Sequence, residues 1–147
     1  MSIETVLLTV KRDDGERLDR LTEGATELAT ATGARVTVGH AFASQSDVDD
    51  ALAQLEGADG TPTDVARRLE GVRRATTALQ AAGVEHGVEG VVGDPGDAVA
   101  VLAERVGADR VFVGGRRRSP TGKAVFGSTA QQILLSSPCP VTFVREE

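Results

Sequence analysis

The chain has 147 residues and a mass of 15.3 kDa, enough for one domain that needs no disulfide or metal to stabilise its core. A net charge of −6 argues against non-specific nucleic-acid binding, because phosphates repel an acidic surface. No apolar run of about 18 residues is available for a membrane span. The single cysteine and the lack of a basic, apolar leader predict a reducing, cytoplasmic location.

Short β-rich apolar runs alternate with stretches of helical periodicity. The strands are predicted over residues 5–10, 35–42, 84–92, 110–114 and 140–144. Helices are predicted between them, over residues 18–32, 64–82, 95–106 and 127–136, with a short helix at 47–55 inside the irregular segment 44–63. Thr63 or Asp64 is the expected cap of the second long helix. Strands that alternate with helices predict an α/β domain whose parallel sheet is covered on both faces.

The segment after the fourth strand carries the clearest chemical signal. Gly114 and Gly115 permit a sharp turn, and four cations follow in an otherwise acidic chain: Arg116, Arg117, Arg118 and Lys123. Gly127-Ser128-Thr129 then opens a helix whose exposed amides and dipole suit an anion. The plainer interpretation is that Ser128 only caps its helix and that the arginines form a solvated rim.

Two common phosphate motifs are absent. Six residues separate Gly115 from Gly122-Lys123, where a Walker A loop needs four, and Ala124 lacks the hydroxyl that binds the metal. No Gly-x-Gly-x-x-Gly follows the first strand, so a Rossmann dinucleotide site is not supported.

The pattern Gly114-x2-Arg117-x9-Gly127-Ser128, placed before a terminal Pro138-Cys139-Pro140-Val141 strand, resembles the universal stress protein family. The nucleotide-binding pattern of that family is Gly-x2-Gly-x9-Gly-Ser/Thr. Further similarity lies in residues 39–42, 92–95 and 106–114, so the resemblance covers residues 1–147 as one domain. It implies an adenine nucleotide alpha hydrolase-like fold.

In members that bind ATP, the resemblance implies a pocket between the first and fourth strands. Ala41 matches a position beside the adenine. The positions that approach the ribose and phosphates are matched by Val113, Gly114, Gly127, Ser128 and Thr129. The arginines and Mg²⁺ would neutralise the phosphates.

Two departures from the family pattern stand at this pocket. Arg117 replaces the second glycine and could cover the phosphates as a charged lid. Thr9-Val10-Lys11 replaces the usual Pro-Thr-Asp, and either Asp13 or Asp14 could supply the missing carboxylate after a local shift. Both departures favour an alternative function, a stress-response interaction module that binds no nucleotide.

The remaining reactive side chains suggest no catalytic residues and no protein-bound metal. Cys139 is expected to pack as a small apolar residue, His40 to make a local hydrogen bond at a strand end, and His86 to be exposed. The Asp13-Asp14 pair is expected to be solvated. No triad or pair of carboxylates can be assigned, so any ATP hydrolysis should be slow.

We therefore expect a single open parallel sheet in the order 3-2-1-4-5, with the apolar fifth strand at one edge. An apolar edge favours pairing with a second copy, so a homodimer is predicted. The leading hypothesis is a cytoplasmic protein that binds ATP or a related adenine nucleotide. A flavoprotein relative shares the architecture, but it is disfavoured because the chain has few aromatic side chains to stack on a flavin. A phosphate-handling enzyme would need an acid or metal set that the sequence does not show.

Overall fold

A computed structural model of the chain describes residues 2–12, 14–55, 60–115 and 128–145. Five strands are present in this part of the chain: β1 (Thr5–Thr9), β2 (Arg35–Phe42), β3 (His86–Val92), β4 (Arg110–Gly115) and β5 (Val141–Arg145). The helices are α1 (Arg17–Thr32), α2 (Gln45–Ala53), α3 (Pro62–Arg68), α4 (Glu70–Ala81), α5 (Pro95–Val106) and α6 (Ser128–Ser136).

All five strands pair in parallel in one sheet, in the order β3-β2-β1-β4-β5. The predicted α/β class and strand order are thus confirmed. Chain order reverses between β1 and β4, so the crevice beyond their carboxyl ends is where such a sheet binds ligands.

Side chains of β1 show how the sheet is covered on both faces. Val6 and Leu8 pack with the side chains of α1 and α4, whereas Leu7 packs with those of α5. All three are fully buried. Because both faces of the strand are covered, its sequence is continuously apolar and lacks the alternation of a half-exposed strand.

The region after β2 differs from the sequence-based expectation in its helix boundaries. The short helix α2 begins at Gln45, and the Ser44 hydroxyl caps it by accepting from the Asp47 amide at 3.2 Å. The next helix begins at Pro62, with Thr61 at its cap in place of the predicted Thr63 or Asp64. Proline at the first helical position costs no hydrogen bond, which explains the earlier start.

The single helix predicted over residues 64–82 is two helices, α3 and α4, that meet at Leu69. The ψ angle of Leu69 is 140°, which is extended backbone. The break lets the two helices bury different apolar faces. Val65 of α3 packs with Phe42 and Val48, whereas Val72 of α4 packs with the side chains of β1 and α1.

The α3 helix also covers the outer edge of β3. The hydroxyl of Thr63 accepts a hydrogen bond from the Gly90 amide at 3.0 Å. A Cβ atom at Gly90 would overlap the carbonyl group of Pro62, so the close approach requires glycine. An otherwise open strand edge is thereby protected. Within the described residues, no helix is long and apolar enough to cross a membrane.

Candidate functional site

Ala41 of β2 and Val113 of β4 lie on the same face of the sheet. Val113 is 2% exposed and belongs to the apolar cluster beneath α5 and α6, and Ala41 packs against that cluster. Gly114, next to Val113, is also buried. The structure therefore brings these three predicted positions to the carboxyl edge of the sheet, on both sides of β1.

The described residues cover only the two ends of the predicted phosphate-binding segment, residues 114–115 and 128–129. Arg117 and Gly127 lie outside the described residues. The helix predicted over residues 127–136 is α6, which is described from Ser128 onwards, and Thr129 is half-buried in its first turn. The proposed roles of these four residues remain predictions.

Lys11 links the ends of the two neighbouring strands β1 and β4, where the strand order reverses. Its ammonium donates a hydrogen bond to the carbonyl oxygen of Gly114 at 2.8 Å. Two residues earlier, the hydroxyl of Thr9 donates to the carbonyl oxygen of Phe112 at 2.9 Å. A positive charge therefore stands at the strand-order reversal, where the family pattern has a carboxylate.

Asp14 is buried, so the expectation of a solvated acidic pair was wrong for this residue. Its side chain is 1% exposed, and its Oδ2 atom accepts from the Lys11 amide at 2.7 Å. The guanidinium of Arg17, 6% exposed, lies 3.5 Å from its Oδ1 atom. Burial is tolerable because the carboxylate has both an amide donor and a cation beside it. Asp13 lies outside the described residues.

Arg17 connects this ion pair to β4. Its Nη1 atom donates to the carbonyl oxygen of Gly115 at 2.6 Å. The first turn of α1 is thus held against the point where β4 continues into the predicted phosphate segment. The sequence analysis missed Arg17. Its only sequence signal is the three-residue spacing from Asp14 at a helix start.

Gly114 has a packing reason to be glycine that is separate from any ligand. A Cβ atom there would lie 2.9 Å from Oδ1 of Asp14 and 3.0 Å from a methyl group of Leu21. The close packing of α1 on β4 therefore excludes a larger residue. Asp14 is also committed to Lys11 and Arg17, so it does not replace the family carboxylate in this arrangement.

His40 makes the local hydrogen bond that its place at a strand end predicts. Its Nδ1 atom lies 2.7 Å from the carbonyl oxygen of Val10. Burial lowers the pKa of His40 below its ordinary value, and the bond to Val10 opposes this effect without cancelling it. In the neutral ring Nδ1 must donate, because a carbonyl oxygen can only accept. This leaves Nε2 as an acceptor.

The other two candidates, His86 and Cys139, make structural contacts. His86 is half-buried, not exposed as predicted, because its ring folds back to place Nδ1 2.9 Å from the carbonyl oxygen of Val84. Cys139 is partly buried and packs against the cluster beneath α5 and α6. Among the described residues, no group of three or more potential ligands could hold a metal ion.

A model of the universal stress protein family matches residues 3–145. The chain belongs to the universal stress protein family. A universal stress protein of Thermus aquaticus is 30% identical over 149 residues, which cover 97% of this chain and 98% of that relative.

Solved structures of universal stress proteins have the same fold. One from Archaeoglobus fulgidus is 25% identical with a TM-score of 0.71, and the match covers 98% of this chain and 99% of that one. Another, in complex with cAMP, is 23% identical with a TM-score of 0.65 and is matched over the whole of both chains. At these identities, the structural likeness chiefly supports the fold.

Proposed function

We propose that this universal stress protein binds ATP or a related adenine nucleotide at the carboxyl ends of β1 and β4. The observation that carries the proposal is the contact between Lys11 and Gly114. It places a cation at the strand-order reversal, at the start of a segment whose sequence adds four more positive charges. Nucleotide phosphates are the anions that such an edge of an α/β sheet commonly receives.

Relatives support the adenine part of the proposal. Universal stress proteins with this fold have been solved with cAMP, dAMP and AMP. All three ligands share an adenine base and at least one phosphate. They differ in the number of esters and in the sugar, so the base and phosphate are the features we carry over to this chain.

The backbone of β2 offers a place for the base beside Ala41. The last hydrogen bond of the β1–β2 ladder runs from the Val10 amide to the Gly39 carbonyl oxygen at 2.9 Å. The Val10 carbonyl accepts from the ring of His40 instead of from β2. Ala41 is two residues beyond Gly39, so its polar backbone groups face the β1 side past the end of the ladder. An adenine edge, with its adjacent donor and acceptor, matches such groups.

The phosphates are assigned to the segment from Gly114 to Thr129. Gly127 would allow close backbone approach, the start of α6 at Ser128 would supply amides, and Arg117 would neutralise charge. Mg²⁺ commonly binds nucleotides through their phosphates with only one or two protein carboxylates. The described residues supply no metal cluster, so here the phosphates would be its main ligands.

We expect binding without efficient hydrolysis. A water nucleophile needs a side chain that orients it, and the nearby carboxylate of Asp14 is engaged by Lys11 and Arg17. The protein would therefore act as a nucleotide-binding stress protein in the cytoplasm.

We also propose that two copies pair through β5. This strand forms one edge of the sheet, and its Val141 and Phe143 side chains are only half-buried. An uncovered edge strand is a template for another strand. Sedimentation at micromolar concentration should give the mass of two chains, and the mass of one chain would contradict the pairing.

Gly127→Val is the sharpest test of the nucleotide site. The larger side chain should abolish binding of AMP and ATP in equilibrium dialysis while the circular dichroism spectrum stays unchanged. Gly60→Val is the matched control, because a Cβ there meets only a methyl group of Leu52 at 3.9 Å. Retained nucleotide binding by a folded Gly127→Val protein would show that the site is misplaced.

The alternative is a module that binds a protein partner and no nucleotide. It is favoured by the two departures from the family pattern, in which Lys11 replaces a carboxylate and Arg117 replaces a glycine. Mass spectrometry of small molecules released from the purified protein separates the two functions. An adenine compound supports the nucleotide site, whereas the failure of both this assay and dialysis supports the alternative.

A further inference from the structure

A second cavity lies at the same edge of the sheet but on its opposite face. Its volume is about 570 Å³, and it is bounded by the end of β1 and by α1, α2 and the start of α4. His40 lines it, whereas Ala41, the next residue of β2, packs on the other side of the sheet. Successive strand residues face opposite ways, so this cavity lies on the other face of the sheet from Ala41. Lys11 stands at the boundary, because it lines the cavity and also contacts Gly114.

The first turn of α4 contributes backbone donors to the cavity wall. Glu70, Gly71 and Val72 all line it. The residue at the N-cap is Leu69, which is apolar and makes no capping hydrogen bond through its side chain. The amides of the first turn have no partner within their own helix, and no side chain of the described residues accepts from them.

Gly71 allows this helix start to approach β1 closely. A Cβ atom at Gly71 would lie 3.0 Å from a methyl group of Val10. Glycine is otherwise unfavourable inside a helix by about 1 kcal/mol relative to alanine. The first turn of α4 is therefore less stable than it would be with alanine at Gly71, at the place where its amides face the cavity.

The buried ring of His40 supplies an acceptor to the same cavity. The residue is 6% exposed, and Nδ1 donates to Val10. No described residue forms a hydrogen bond with Nε2, whose lone pair is left for a donor. Because His40 lines the cavity, this acceptor is available to a ligand that carries a hydroxyl.

The charges around the cavity favour an anion. Among its described lining residues are four cations, Lys11, Arg12, Arg68 and Arg74, and two acids, Asp14 and Glu70. Two of these residues are held in ion pairs, Asp14 with Arg17 and Arg74 with Asp19 at 2.8 Å. The local excess of positive charge contrasts with the net charge of −6 of the whole chain.

We propose that this cavity binds a small organic phosphate monoester, with its phosphate at the start of α4 and a hydroxyl donating to Nε2 of His40. Helix-start amides and guanidinium groups are suitable donors for phosphate oxygens. The remaining wall includes Leu18, Ala51 and Leu55, which could cover an organic group larger than phosphate. The volume lies within the usual range for small-molecule sites.

Histidine NMR tests the site directly, because the chain has only two histidines. The probes are inorganic phosphate and glycerol 1-phosphate, and His86→Gln identifies the signals of His40. We expect glycerol 1-phosphate to shift the Nε2 signal of His40 saturably, with half-saturation below about 1 mM, and inorganic phosphate to bind more weakly. The same shift should occur in the Gly127→Val protein, which separates this site from the nucleotide site.

A pair of variants at Glu70 tests the backbone donors. Glu70→Pro removes the amide hydrogen at the first helical position, where proline is tolerated, and Glu70→Ala is its control because both remove the carboxylate. The extended backbone of Leu69 suits a residue that precedes proline. We expect Glu70→Pro to bind glycerol 1-phosphate at least fivefold more weakly than Glu70→Ala.

Three results would overturn the proposal. One is the absence of a saturable His40 shift at about 10 mM glycerol 1-phosphate, far above the expected dissociation constant. Another is equal affinity in the two Glu70 variants while both remain folded. The third is loss of the His40 shift in a folded Gly127→Val protein, since that would place both ligands in one site.

Discussion

The ammonium of Lys11 lies 2.8 Å from the carbonyl oxygen of Gly114 and joins the ends of β1 and β4. After this point the chain continues from β1 into α1 and from β4 towards α6. The contact therefore puts a positive charge between the adenine side and the phosphate side of the proposed site.

Replacing Lys11 with glutamine should weaken nucleotide binding. We expect a three- to tenfold loss for AMP and a larger loss for ATP, because the missing charge faces more phosphate charge in ATP. The measurement is calorimetric titration at two salt concentrations. Arg12→Gln is the control, since it removes the same charge from an exposed neighbour. Tighter ATP binding by Lys11→Gln would mean that the lysine blocks the crevice.

Replacing Arg17 with methionine should strongly destabilise the fold. It leaves the buried carboxylate of Asp14 without its cation, and breaking such pairs typically costs about 3–5 kcal/mol of unfolding free energy. Urea unfolding measures the loss. Arg73→Met is the exposed control and should change stability by less than about 0.5 kcal/mol.

The double variant Asp14→Asn/Arg17→Met refines this test. Removing the carboxylate together with the guanidinium should restore part of the lost stability, because no uncompensated charge remains buried. If the double variant were as unstable as the sum of the two single variants, the pair would not be coupled as the structure indicates.

Gly90→Ala should destabilise the edge of β3. The added Cβ overlaps the Pro62 carbonyl, so α3 must move away from the strand, and overpacking of this kind costs about 1–3 kcal/mol. Thermal unfolding should show a melting temperature lower by several degrees. Gly60→Ala is the matched control, because its Cβ would make only ordinary contact. Equal melting temperatures for the two variants would contradict the packing of α3 on β3.

His40 should make the fold less stable as the pH is lowered from 7.5 to 5.5. Burial holds its folded-state pKa below the ordinary value of 6.5, with the charge of Arg12 lowering it and that of Asp14 raising it. At a pH between the folded-state pKa and the ordinary pKa, the unfolded chain binds more protons than the folded one. The free energy of unfolding therefore rises with pH in this range and falls as the solution is acidified. In His40→Gln this part of the slope, at most about 1.4 kcal/mol per pH unit, should disappear.

Asp109→Asn supplies the contrast for that measurement. The amides of Glu4 and Thr5 donate to Asp109 and lower its pKa below the ordinary 3.8. Its stabilising effect is present above that value and is lost as the pH falls below it. Asp109→Asn should therefore keep the wild-type slope between pH 5.5 and 7.5. Equal slopes for His40→Gln and the wild type would show that His40 is not the responsible group.

Local patterns were sufficient to predict the sheet. The apolar run at Val6–Leu8 and its counterparts define buried parallel strands, and Gly33 and Gly107 end helices in the left-handed conformation that favours glycine. The break at Leu69 was missed because the periodicity of Val65, Val72 and Leu79 continues through it. Only the packing of α3 against the distant β3 shows why the helix must stop there.

The site was predictable only in outline. The glycine positions and the family pattern identified the carboxyl edge of β1 and β4, but the pairing of Asp14 with Arg17 depends on how α1 packs against β4. No local signal distinguishes such a buried carboxylate from a solvated one. The contact of Lys11 with Gly114 joins residues 103 positions apart, so it too depends on the sheet order.

Calorimetric titration of the wild-type protein with AMP, and with ATP in the presence of Mg²⁺, tests the central claim most directly. The account predicts a saturable heat with one nucleotide bound per chain at submillimolar concentration, where binding corresponds to roughly −4 kcal/mol or better. No heat with either ligand at millimolar concentration would contradict adenine nucleotide binding by this universal stress protein.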